Sequence, residues 1–216
     1  MGFIERPPEW FRRLVRGGEF RLPTPGCGKD LPKDLPQSAG RVFLTFDDGP
    51  IPEVTPWVLD ILDRYGVKAT FFMVGQNAER YPELVEEIRR RGHRIGNHTL
   101  HHLQGAKVTT RRYLRDVAEA DRLLQTDLFR PPHGWLRPRQ ARALRRKYRI
   151  IMYDLVTRDY SRRLTAEDVV GNVRRYARDG SIIVFHDSLK SLSRLRKALP
   201  EAIEWLQGQG YSFELF

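Results

Sequence analysis

Two carboxylates stand side by side in TFDDGP (residues 45–50), directly after the apolar run Val42-Phe43-Leu44. Like charges at the end of a buried strand repel and lose hydration. Asp47 and Asp48 therefore need a reason to be adjacent. One reason is a turn, which Gly49 and Pro50 favour. The other is a division of labour, with one acid binding a metal and the other handling protons. About fifty residues on, NHTLHH (97–102) places His98 and His102 four apart. On a helical turn both imidazoles would face one side. Two imidazoles and one carboxylate make a metal site that leaves coordination positions open, and Asp48 is the natural third donor. His101 would point elsewhere, supporting the ligands or lying at the surface, and His93, at a helix-to-strand turn, reads as structural. In FRPPHGW (129–135), Arg130 is pinned in extended chain by the prolines that follow, where it can pair with an acid. TRDY (157–160) carries another acid, and FHDS (185–188) ends a very apolar run with His186. From its position alone, His186 reads first as a packed core histidine, and Asp187 as a cap.

These segments fall on a regular rhythm of short apolar runs and longer amphipathic ones. The strand candidates are 41–46, 69–73, 94–97, 127–129, 150–153, 181–185 and 211–215. Between them lie helices with recognisable ends. Thr55 and Pro56 start one that Gly66 closes, and Pro82 starts another that Gly92 ends. Further helices are expected over 110–124, 137–148 and 193–207, and Thr165 with Asp168 resembles a capping box ahead of one more. Strands alternating with helices predict an α/β fold with about seven parallel strands, either an open doubly wound sheet or a barrel. No Gly-rich phosphate loop follows the first strand, which removes the main support for a nucleotide fold. Every chemistry-bearing segment follows the C-terminal end of a strand. In a parallel barrel those ends share the face that carries the active site.

Composition bounds the rest. The chain has 216 residues, a net charge of +11 and a single cysteine, Cys27, so no internal disulfide forms. The excess charge is carried by 31 Arg and 7 Lys scattered over many helices. Such a field attracts polyanions, yet no zinc finger, helix-turn-helix or RNA-binding signature accompanies it, so no specific nucleic-acid partner is expected. Residues 1–40 form an extension punctuated by Pro and Gly, followed by one domain over 41–216. Within the extension, Trp10, Phe11, Leu14 and Val15 would share one face of a short helix packed on the domain. A peripheral membrane anchor is the alternative, disfavoured by the shortness of the stretch. No signal-peptide or membrane-spanning pattern is visible, and the expected location is cytoplasmic. Oligomeric state is not written in the pattern.

TFDDGP, HTLHH, RPPHG, the Asp159-Tyr160 pair and IIVFHDS, in that order, resemble the five motifs of the polysaccharide deacetylases, carbohydrate esterase family four. The resemblance covers residues 41–216 and implies a distorted (β/α) barrel with fewer than eight regular repeats. It implies Asp47 as general base, with Arg130 orienting it and pairing with its charge. Asp48, His98 and His102 would bind a divalent metal, zinc before cobalt, nickel or iron. His186 would be the general acid, tuned by Asp159. The backbone N–H of His133 would hold the oxyanion, and Tyr160 and Val184 would line the pocket for the acetyl methyl. The implied substrate is an acetylated saccharide containing N-acetylglucosamine, and the basic surface suits an anionic or membrane-linked glycan. The sequence departs from the family pattern where His133 replaces the common Tyr and Tyr160 the common Trp. Asp159 also lacks a neighbouring acid, leaving Asp154 as a competitor for its role. Competing functions are an O-acetyl-xylan esterase, a cyclic-amide hydrolase on the same scaffold, and a non-catalytic glycan-binding module.

Overall fold

The computed structural model describes Glu19 and residues 40–216. The amphipathic stretch at 10–15 and Cys27 lie outside the described residues. Eight parallel strands form one sheet: β1 (Gly40–Asp47), β2 (Thr70–Met73), β3 (Arg94–Asn97), β4 (Leu128–Phe129), β5 (Arg149–Ile150), β6 (Leu155–Val156), β7 (Ser181–His186) and β8 (Tyr211–Phe213). Seven follow the order β5-β4-β3-β2-β1-β7-β6, a curled half-barrel, and β8 pairs with the start of β1. Helices α1 (Thr55–Arg64), α2 (Gly75–Arg80), α3 (Pro82–Arg90), α4 (Thr110–Leu124), α5 (Pro138–Leu144), α6 (Ala166–Tyr176) and α7 (Leu192–Gly208) fill the connections. Among the described residues, no helix is long and apolar enough to cross a membrane.

Alternation along β1 sorts its side chains. Val42, Leu44 and Phe46 join the large core under the helices. Phe43 turns to the inner face, where it packs with Phe72, Leu128, Ile151 and Ile182 and stacks on Phe216 at 4.9 Å. Thr45 and Asp47 therefore follow Phe43 up the same inner face. On β7, Ile182, Val184 and His186 pair with Phe43, Thr45 and Asp47, so they share it. The first strand thus delivers a carboxylate to the top of a small dry barrel interior.

The expected strand over 150–153 is shorter than the alternation suggests. Residues 149–156 begin paired with β4 and end paired with β7. Ile151 N–H still bonds Phe129 O, Met152 N–H turns to Glu19 O, and Asp154 N–H bonds Ile182 O. This segment crosses the seam of the half-barrel and so splits into β5 and β6. Two helix boundaries also differ from expectation. Val54 rather than Thr55 is the N-cap of α1, because the Thr55 hydroxyl is committed to Asp187 Oδ2 at 2.6 Å. Helix α5 stops at Leu144, four residues before Tyr148. The Thr165–Asp168 capping box is present as read.

Gly96 on β3 faces Phe72 on β2, and a Cβ there would meet the Phe72 ring at 2.3 Å. Phe72 is fully buried and cannot yield. Gly96→Ala is expected to lose about 1–3 kcal/mol of stability through overpacking, read as a lower midpoint in chemical denaturation with an unchanged slope.

Candidate active site

The inner face ends in a buried arginine. Arg130 follows β4, and the prolines after it stop the strand so that its side chain turns inward. It is 2% exposed, yet every guanidinium nitrogen finds an acceptor. Nη1 donates to Asp47 Oδ1 at 2.6 Å and to Thr45 Oγ1 at 2.8 Å. Nη2 donates to Met152 O at 2.8 Å, and Nε to Ile151 O at 3.4 Å. Those carbonyls belong to the seam-crossing segment, so Arg130 also satisfies backbone groups left over where the sheet opens. The Phe72 ring lies beneath the guanidinium at 4.0 Å. Burial pulls the Arg130 pKa down, while the charge and hydrogen bond of Asp47 oppose the fall.

Asp48 sits one residue past the strand with φ of +84°. This left-handed turn, rather than strand alternation, is what separates the two acids. Asn77 on α2 holds the Asp48 carbonyl at 2.8 Å, and Asp187 Oδ1 accepts the Gly49 N–H at 3.0 Å. Burial works to raise the Asp48 pKa. The hydrogen bond from His102 and the charges of His186, His98 and His102 outweigh it and hold the carboxyl well below its usual range.

His98 and His102 are not on a helical turn, as their spacing suggested. They lie in a loop after β3 in which Thr99 and His102 have positive φ, and this backbone, not helical periodicity, brings the rings together at 5.1 Å. His98 Nδ1 donates to Arg130 O at 2.7 Å, leaving the Nε2 lone pair facing Asp48 Oδ1 at 3.8 Å. His102 Nε2 lies 3.2 Å from the same oxygen. Burial and the neighbouring His102 push the His98 pKa down to about 4, so its ring is neutral at pH 7. Among the described residues, Asp48, His98 and His102 form a group whose ligand atoms lie within 4.8 Å of one another. Neutral imidazole nitrogen and carboxylate oxygen are the donors that zinc and related divalent ions take, so the residues fit such a metal.

On the other side, His186 Nδ1 donates to Asp159 Oδ1 at 2.8 Å, and the His186 N–H donates to Asp159 Oδ2 at 2.7 Å. Burial opposes a charged ring, but the charge and hydrogen bond of Asp159, then Asp48 and Asp47, raise the His186 pKa to about 9. The competitor Asp154 is elsewhere, bound to Arg178 at 2.6 Å and Ser181 at 2.8 Å. Tyr160 meets the His186 ring edge-on at 4.8 Å, and Val184 faces inward beneath it. His133, with φ of +59°, meets the His102 ring edge-on with 4.8 Å between the ring centroids. His93 is structural, accepting the Ala69 N–H at 3.1 Å. Sequence reasoning missed Tyr153. Its hydroxyl is pushed up to about 12 by burial, then by the charge of Tyr160, with Arg130 opposing the rise and Asp47 adding to it. The available signal was an aromatic residue at a strand end six positions before Asp159.

A parallel β/α half-barrel with these groups gathered at its C-terminal rim defines a hydrolase of the barrel class. Residues 34–151 match the family model described as polysaccharide deacetylase. A peptidoglycan-N-acetylglucosamine deacetylase of Bacillus cereus is 32% identical over 188 residues, covering 83% of this chain and 88% of the relative. A chitooligosaccharide deacetylase of Sinorhizobium fredii is 34% identical, covering 73% of this chain and 78% of that one. The crystal structure of the Bc1960 peptidoglycan N-acetylglucosamine deacetylase superposes with a TM-score of 0.82 at 30% identity, over 96% of this chain and 94% of that one. The chain belongs to the polysaccharide deacetylase family and is a hydrolase of carbon–nitrogen bonds other than peptide bonds.

Replacing Arg130 with Met would leave the Asp47 carboxylate buried without its cation. Arg130→Met is expected to lower stability by about 3–5 kcal/mol, measured by thermal or denaturant unfolding. A loss near zero would mean that the pair is dispensable.

Proposed function

We propose that the protein removes the acetyl group from N-acetylglucosamine units of a glycan by direct attack of water, with Asp47 as base and His186 as acid. The observation that carries this reading is the pairing pattern around one small space. An arginine-held carboxylate and an aspartate-held imidazole flank the Asp48, His98 and His102 donors. Asp48, His98 and His102 would hold the divalent metal, which when bound acidifies water and polarises the acetyl carbonyl.

Arg130 fixes one oxygen of Asp47, leaving the other to take a proton from water as the water oxygen bonds to the acetyl carbon. The N–H of His133 would donate to the oxygen that gains charge. Asp159 holds Nδ1 of His186, so Nε2 carries the proton that passes to the leaving nitrogen as the carbon–nitrogen bond breaks. The products are acetate and a free amine. Tyr160 and Val184 would bound the acetyl methyl. The similar proteins whose names specify peptidoglycan N-acetylglucosamine and chitooligosaccharide support the choice of sugar.

The test is acetate release from a short N-acetylglucosamine oligomer by chelated protein before and after zinc is restored. Release that returns with zinc and is lost in Asp47→Asn supports the reading. No release from N-acetyl sugars, with release from O-acetylated xylan, would replace the proposed amide substrate with an ester.

The His186 environment fixes a pH dependence. Its pKa is raised above the ordinary 6.5 to about 9. The pairing therefore stabilises the fold fully below 6.5 and loses that contribution as pH rises through about 9. The proton donor is likewise loaded at neutral pH and emptied on the alkaline side. Asp159, Asp48, Asp47 and the Tyr160 ring face it. Asp159→Asn is expected to shift the alkaline limb of kcat to lower pH by about one unit or more, read from a pH–rate profile. An unmoved limb would assign that limb to another group.

A further inference from the structure

We infer that Asp116 is a positioning residue for the metal site, clamping the loop between the two histidine ligands. The inference rests on the metal role proposed for Asp48, His98 and His102. Asp116 projects from α4 and is 5% exposed, yet among the described residues its hydrogen-bond and ion-pair partners include no arginine or lysine. Its carboxylate is instead filled from one short loop. Oδ2 accepts the N–H of Leu100 at 2.8 Å and the N–H of His101 at 3.0 Å. Oδ1 accepts His101 Nδ1 at 2.5 Å. Leu100 and His101 stand between His98 and His102, so these three bonds act on the chain that sets the separation of the two Nε2 atoms.

The loop needs such a hold. Thr99 and His102 both have positive φ, a conformation that side chains other than glycine adopt only when their surroundings impose it. The opposite edge of the loop is tied to the start of α2, where Gly75 and Gln76 N–H bond the carbonyls of Thr99 and Leu100 at 2.9 and 3.0 Å. Thr99 Oγ1 also accepts the Leu103 N–H at 3.0 Å. Carbonyls are thus held by α2 and amides by Asp116, and the ligand loop is fixed from both edges. The His101 side chain, half exposed, completes the carboxylate's shell on the solvent side. His101 therefore matters through Asp116 although it faces away from the metal donors. Groups that orient metal ligands through hydrogen bonds change metal affinity by about 10–100-fold when removed.

The experiment is a zinc titration of the chelated protein against a chromophoric chelator, with thermal unfolding of the metal-free protein read in parallel. Parent, Asp116→Asn and His101→Ala are compared. Asparagine fills the same space but replaces one acceptor oxygen with a donor, which opposes either the two loop N–H groups or the imidazole. Asp116→Asn is expected to weaken zinc by about 10–100-fold while metal-free unfolding stays cooperative, and His101→Ala by a smaller factor. A merely structural role would lower the metal-free melting temperature and leave the zinc dissociation constant in place. Zinc affinity within about twofold of the parent in a folded Asp116→Asn would overturn the inference. Should that variant fail to fold, His101→Ala decides. It removes one bond from a half-exposed side chain, and unchanged zinc affinity would overturn the clamp. A parent that binds no zinc would overturn the metal site itself, a separate failure.

Discussion

A full positive charge buried to 2% exposure is costly unless each of its donors is matched, and Arg130 is matched at every nitrogen. The rest of the site follows from that requirement. Its acceptors come from the end of β1 and from the segment that crosses the seam, so satisfying the guanidinium fixes both against each other. Its own carbonyl takes the Nδ1 proton of His98 and thereby sets which nitrogen of that ring faces Asp48. Its underside rests on Phe72, which Gly96 leaves room for. The proposed base, one proposed ligand and the integrity of the half-barrel therefore share a single residue.

The adjacent acids that opened the sequence receive opposite treatment. Asp47 completes the inner face of β1 and is held by the buried arginine. Asp48 leaves the strand through a left-handed residue and is surrounded by imidazoles. The turn that separates them is tied down by Asn77 and by Asp187, a buried carboxyl pushed up to about 8, chiefly by loss of hydration. Across the space, a second carboxylate–imidazole pair is arranged in the opposite sense. Asp159 raises the basicity of His186, whereas burial makes His98 a neutral donor. Two histidines that face the same carboxylates thus hold different protonation states at one pH, one suited to donate a lone pair to a metal and the other to donate a proton.

Much of this was legible in the sequence because the chemistry sits at strand ends, where rare polar residues interrupt apolar runs. The parallel α/β architecture, the Thr165 cap and the strands from 41, 69, 94 and 181 follow from periodicity and punctuation. The residues expected at the site are gathered there, and Asp159 rather than Asp154 meets His186. What escaped depends on long-range pairing or unusual backbone. Two-residue strands such as β6 carry no period. The short helix α2 begins at a glycine without a side-chain cap. Thr55 reads as a cap until its hydroxyl is seen to serve Asp187, 132 residues away. Four-residue spacing suggested a helix at His98 and His102, but positive φ at Thr99 and His102 does that work. The role of Asp116 has no local signal at all, since on α4 it is one more acid in a charged helix.

The central claim is that Asp48, His98 and His102 form one metal site beside an arginine-held base. The most direct measurement is anomalous diffraction at the zinc edge from crystals of the protein grown with zinc. The account predicts a peak about 2.0–2.2 Å from a carboxylate oxygen of Asp48 and from Nε2 of both His98 and His102, with Asp47 still bound to Arg130. An empty position there at full zinc loading, or zinc ligated by Asp47 in place of Asp48, would contradict it.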